Sequence, residues 1–146
     1  MRSTSRMAVV LLLCTVASTH ASSTEAANRA YDGEWSVVLV CPDTQDRGTL
    51  VKGYEFNFAI TIADGKLQGQ YNAKGAPASV VYTGEVQADG TLEIRATGNT
   101  RLSDRTVGKV AQGTPYSYTM NGKLEQTRGQ ATRRELRPCT ATFGRR

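Results

Sequence analysis

Nine consecutive residues, Tyr54-Glu-Phe-Asn-Phe-Ala-Ile-Thr-Ile62, place every aromatic or branched apolar side chain on an even position and every polar or small one on an odd position. A period of two gives a strand one buried and one wet face, whereas 3.6 residues per turn would scatter the same side chains around a helix. The run therefore calls for a sheet, and its surroundings extend it. Trp35, Val37, Leu39 and Cys41 form one side of an earlier alternating strand that Pro42 ends. Asp64-Gly65 supplies a hairpin turn into Leu67 and Tyr71. The same signal returns at Asp89-Gly90, joining a strand over 79–87, with Val80, Tyr82 and Val86 inward, to one over 91–97, with Leu92, Ile94 and Ala96 inward.

Gly69, Gly84 and Gly122 fall on the apolar side of their strands, where a missing side chain permits the bends that a closing sheet needs. Residues 99–115 break the pattern and read as a long loop, with only Leu102, Val107 and Val110 as candidates for burial. Alternation resumes over 116–124, turns at 127–129 and ends in a last strand over 130–143, where Pro138 marks a bulge or an edge. The fold class is all-β: a single antiparallel meander of seven to eight strands without an amphipathic helix, in a barrel or a sandwich.

The N-terminus has a basic start, an apolar run over 7–16 and small residues around Ala21. This is the layout of a secretory signal peptide over 1–21, and its apolar part is too short to span a bilayer. Leu13, before Cys14, departs from a lipoprotein cleavage box. Residues 22–30 are small and polar, a flexible leader to a β-domain over 31–146. Cleavage leaves Cys41 and Cys139, an even pair that in an exported chain is most simply a disulfide. It ties the first strand to the last and favours a small barrel. Closing a 98-residue separation is worth about 4–5 kcal/mol on loop-closure entropy. The expected setting is periplasmic or secreted, without stable membrane insertion or nucleic acid, as a monomer.

The same cleavage removes His20, the only histidine, and with it triad nucleophiles, histidine metal sites and the usual neutral-pH base. Paired carboxylates remain an option for glycoside cleavage, but Glu55, Glu85, Glu93, Glu125 and Glu135 all fall on outward positions. No catalytic residue, metal or cofactor is expected.

Two groups of side chains carry the binding hypotheses. Lys123, Arg128, Arg133, Arg134, Arg137, Arg145 and Arg146 face only Glu125 and Glu135 in the last 24 residues, a basic patch centred on Arg128, Arg133, Arg134 and Arg137. It fits an anionic partner, or a solvated edge strand whose arginines discourage aggregation. Arg101, Arg105 and Lys109 extend it if the long loop folds over the same end of the barrel. Trp35, Tyr54, Tyr71, Tyr82, Tyr116 and Tyr118 point inward and either line a ligand cavity or fill a core.

Gly33-Glu-Trp35, with arginines such as Arg134 and Arg137 in the last strand, resembles the calycin pattern of lipocalins and avidins. That resemblance implies a tryptophan packed under an arginine across the barrel floor. Tyr31-Asp-Gly-Glu-Trp-Ser-Val37, Gly113-Thr-Pro-Tyr116 and Arg137-Pro-Cys139 with Phe143 look like a group of small exported alphaproteobacterial proteins. This second likeness implies a periplasmic setting and the disulfide, and transfers no catalytic residue. The function expected is a non-enzymatic exported binding protein, with a small ligand in the barrel mouth beside the 99–115 loop or an anionic partner on the basic strand. The alternative is an interaction module that inhibits a secreted protease or lysozyme through its N-terminal arm and barrel rim, a plan that bacterial metalloprotease inhibitors resemble.

Overall fold

A computed structural model describes residues 29–146. The expected signal peptide, and residues 22–28 of the expected leader and inhibitory arm, lie outside the described residues. Arg29 and Ala30, assigned to the leader by sequence, already belong to the fold, in a single 3-10 turn over Arg29–Tyr31.

The alternating run forms β4 (Tyr54–Ala63), its even side chains inward and Glu55, Asn57, Ala59 and Thr61 exposed. The other strands are β1 (Gly33–Cys41), β2 (Thr44–Asp46), β3 (Thr49–Val51), β5 (Lys66–Tyr71), β6 (Ser79–Val86), β7 (Thr91–Asn99), β8 (Pro115–Leu124), β9 (Arg128–Arg133) and β10 (Cys139–Arg145). Eight of them close an antiparallel barrel in the order β1-β10-β9-β8-β7-β6-β5-β4, with β1 pairing both β10 and β4. Cys41 and Cys139 form the disulfide across β1 and β10, which fits an oxidising compartment. The outward face is dominated by residues such as Glu93, Arg95, Lys123 and Gln130, the reverse of the apolar band of a membrane-spanning barrel. Among the described residues no helix is long and apolar enough to cross a membrane.

Three sequence expectations need correction. The last strand is not continuous over 130–143. It is a hairpin of β9 and β10, with Ala131 opposite Ala141. Leu136 in the left-handed region (φ 58°) and Pro138 without an N–H stop the ladder between them. The preceding turn also comes earlier, because Arg128 and Gly129 already belong to β9. Residues 42–53, read as no element, contain the hairpin of β2 and β3, turned at Arg47 (φ 49°) and Gly48 (φ 78°).

The two ends of the barrel differ. At the floor, connections are short. Trp35 is fully buried and its Nε1 donates to the Tyr31 carbonyl at 2.9 Å. The arginine over its ring is Arg145, 5.8 Å from the centroid, and not Arg134 or Arg137. Arg145 also donates to the carbonyls of Ala30, Asp32 and Gln126, sealing the floor. Above it Leu39, Ile60, Tyr82, Ile94, Met120 and Phe143 are buried and fill the barrel. Close strand contact depends on glycine at Gly122, where a Cβ would come 2.0 Å from the Gln130 carbonyl oxygen. The mouth is the other end, where residues 42–53, 72–78, 100–114 and 134–138 make the long connections.

Candidate functional site at the barrel mouth

Long connections at one end of a barrel leave backbone donors and acceptors that the ladder does not use, and here they hold each other. Thr100 fastens the 100–114 segment to itself: its N–H donates to Thr114 O at 2.9 Å and its hydroxyl to Ala111 O at 2.6 Å. Two 3-10 turns, Ser103–Arg105 and Val107–Lys109, then lie against the β2–β3 hairpin. Lys52 N donates to Asp104 O at 3.0 Å, Gly108 N to an Asp46 carboxylate oxygen at 2.7 Å, and the Arg105 guanidinium to Gly53 O.

Arg137 is the convergence point of these segments. It is only 3% exposed. Nη2 donates to Val51 O at 2.9 Å and Lys52 O at 3.0 Å, and Nη1 to Arg105 O at 3.1 Å, while the guanidinium lies 5.3 Å from the Tyr54 ring. Its Nε is buried with no acceptor among the described residues. Burial pushes the Arg137 guanidinium down from its ordinary value, Tyr54 and Asp43 act against that, and neighbouring Arg133 adds to it. Guanidinium still remains protonated at any physiological pH.

Beside Arg137 is a pocket of about 240 Å³. Its apolar wall comes from Tyr54, Phe56, Val107, Val110, Tyr116 and Leu136, and its polar wall from Arg101, Arg105, Arg133 and Arg137. Of its sixteen lining residues four are arginine and none is acidic. Arg133 is half-buried, 4.2 Å over the Tyr118 ring, with Nε donating to Glu135 O at 3.0 Å. Tyr116 crosses to donate to Ser79 O at 2.9 Å, and the space for it is made by Gly98, where a Cβ would stand 2.7 Å from the phenolic oxygen. Burial raises both the Tyr54 and the Tyr116 phenol above the ordinary value, so at neutral pH both are neutral.

The six aromatic candidates divide. Tyr54 and Tyr116 line the pocket. Tyr118 is buried beneath Arg133 and stacked on Tyr116 at 5.8 Å. Tyr71 stacks on Phe56 at 4.3 Å, Tyr82 is buried with its hydroxyl 3.3 Å from Met120 Sδ, and Trp35 belongs to the floor. The basic candidates do not form one patch. Arg133 and Arg137 turn into the mouth and Arg134 is exposed. Arg128 lies at the floor end of β9, opposite Gly144 and paired with Glu125 at 2.6 Å.

No protein-family model, curated protein or solved structure gives a significant match to this chain. Its site is therefore read from its own residues. The long loop does fold over the arginine-bearing end and brings Arg101 and Arg105 to the pocket, while Leu102 and Val110, expected as candidates for burial, stay exposed. Sequence reasoning missed Leu136 and the burial of Arg137. No local signal marks Arg137 for burial, since Arg134, three residues earlier in the same segment, is exposed. The five glutamates are all exposed, and only Glu85 and Glu93 are register partners.

Proposed function

We propose that this protein is an exported, non-enzymatic binding protein whose barrel mouth holds one small anion with a compact apolar body. The observation that carries this reading is a pocket walled by four arginines and no carboxylate. A cationic wall with no carboxylate in its lining lowers the energy of an anion entering it, because charge-assisted bonds gain strength away from water. Tyr54, Phe56, Val107 and Leu136 offer apolar contact on the other side. The volume lies below the roughly 300–1,000 Å³ of drug-sized sites, which suits a short acyl or aromatic carboxylate or phosphate. Protonated arginines and neutral phenols are poor bases, which supports binding in place of catalysis.

Calorimetry with a short-chain alkyl carboxylate and the alcohol of the same length tests this reading. The carboxylate is expected to bind and the alcohol to bind at least about tenfold more weakly, the usual worth of one charge-assisted contact. Arg101→Gln with Arg133→Gln should remove that preference. Equal affinity for carboxylate and alcohol, or no effect of the double substitution, contradicts an anion site.

A further inference from the structure

The four mouth segments carry eight Lys and Arg against four Asp and Glu, a net side-chain charge of +4. The remaining described residues carry eight of each and sum to zero. The floor connections, 29–32, 64–65, 87–90 and 125–127 with Arg146, hold two basic and four acidic residues. The barrel is thus electrically polarised along its axis, positive at the mouth.

Exposed apolar side chains follow the same axis. Of the five large hydrophobic side chains that are exposed among the described residues, Leu50 (51%), Leu102 (53%), Val110 (37%) and Leu136 (78%) all belong to the mouth segments. Single exposed leucines are ordinary on a protein surface, but four at one end among its excess cations form a pattern. Leu50 is on β3, Leu102 and Val110 on the 100–114 segment, and Leu136 on the 134–138 segment. Each of the four has a lysine or arginine within two residues in the chain, Lys52, Arg101, Lys109 and Arg137, so the rim lacks the charge-depleted centre on which a protein–protein contact depends. A bilayer imposes no such requirement. Separate apolar tips enter the boundary between headgroups and acyl chains, while lysines and arginines between them reach lipid phosphates.

We infer that the mouth rim is a docking surface for an anionic lipid bilayer, on which the barrel stands mouth-down with Leu50, Leu102 and Leu136 as apolar tips. This rests on the rim residues, not on occupancy of the pocket. An empty pocket leaves it intact, and a ligand-filled pocket does not establish it. Together with the mouth pocket, the geometry would let a ligand pass between bilayer and barrel without crossing bulk water.

Co-sedimentation of the full chain with vesicles decides the matter. Vesicles of phosphatidylglycerol and phosphatidylethanolamine should retain the protein at low salt and release it as salt rises, while phosphatidylcholine vesicles leave it in the supernatant. Leu50→Gln with Leu102→Gln, both away from the pocket, should weaken binding about tenfold. Lys74→Gln and Lys109→Gln should each weaken it about fivefold. Unchanged thermal unfolding verifies that the variants are folded. Failure to bind anionic vesicles, equal binding to neutral ones, or indifference to both kinds of substitution overturns the inference. Equally tight binding to soluble polyglutamate that ignores the leucines would assign the rim to an acidic protein. Loss of a dimer on the leucine changes, seen without vesicles, would assign it to a second copy. Either result overturns the lipid assignment.

Discussion

The guanidinium of Arg137 faces the ring of Tyr54 at 5.3 Å, with its terminal nitrogens engaged by the carbonyls of Val51, Lys52 and Arg105. One buried cation thereby joins β3, the segment after it, the 100–114 segment and the approach to β10. Arg137→Met keeps much of the stem but leaves three carbonyls without donors, and should cost about 2–4 kcal/mol in urea unfolding with an unchanged m-value. Arg137→Lys should restore only part, because a point ammonium cannot reproduce the planar fork. A wild-type midpoint in Arg137→Met would contradict the anchoring role.

The floor offers the opposite separation of effects. Trp35 is buried, hydrogen-bonded to Tyr31 and covered by Arg145. Trp35→Ala should cost about 3–5 kcal/mol by leaving a large cavity. Ligand affinity, measured by calorimetry under strongly native conditions, should stay at the wild-type value because the pocket is at the far end. A joint loss of stability and affinity would mean that the two ends communicate.

Reduction removes the link between Cys41 and Cys139, whose separation is 98 residues. Urea unfolding with and without dithiothreitol should differ by about 4–5 kcal/mol. Cys41→Ser with Cys139→Ser should match the reduced protein.

Alkaline pH provides a test of the buried phenols. Burial raises Tyr54, Tyr82, Tyr116 and Tyr118 above the ordinary value of 10.0. Above pH 10 the unfolded chain releases these protons while the folded one retains them. Stability from these groups is therefore complete below pH 10 and lost progressively above it. Tyrosinate absorbance during an alkaline titration should show these four phenols ionising together with unfolding, not before it.

Leu136 combines a left-handed backbone (φ 58°) with 78% exposure, a position where a leucine contributes little to folding and pays a conformational cost. Leu136→Asn should stabilise the protein by about 0.5–1 kcal/mol, since asparagine tolerates this region. It should also weaken whatever the mouth binds, because Leu136 lines the pocket. A gain in stability with undiminished binding would remove Leu136 from the site.

These particulars mark where the sequence was readable. Residues 54–62, the 64–65 hairpin and the strands around Asp89-Gly90 were legible because period two and turn chemistry are local signals, and their observed bounds, Tyr54–Ala63, Ser79–Val86 and Thr91–Asn99, fall within two residues of the expected ones. The three-residue strands Thr44–Asp46 and Thr49–Val51 were invisible, since they are too short to alternate and are held by Asp104, Arg105 and Arg137 from elsewhere in the chain. Tyr54, Tyr116, Arg133 and Arg137 were recognised as candidates, but which inward tyrosine reaches the mouth and which arginine covers Trp35 depend on register. Alternation tells in from out. It does not tell top from bottom.

Ser36 donates its hydroxyl to Gly144 O at 3.0 Å, across 108 residues. A chain emerging N-terminus first consequently holds β1 with one side unpaired until β10 appears, and Arg137 and Cys139 arrive only with that strand. Without β10 the other strands form an open meander, and the mouth lacks Arg137 and the disulfide. The mouth pocket therefore takes shape only once β10 has closed the barrel.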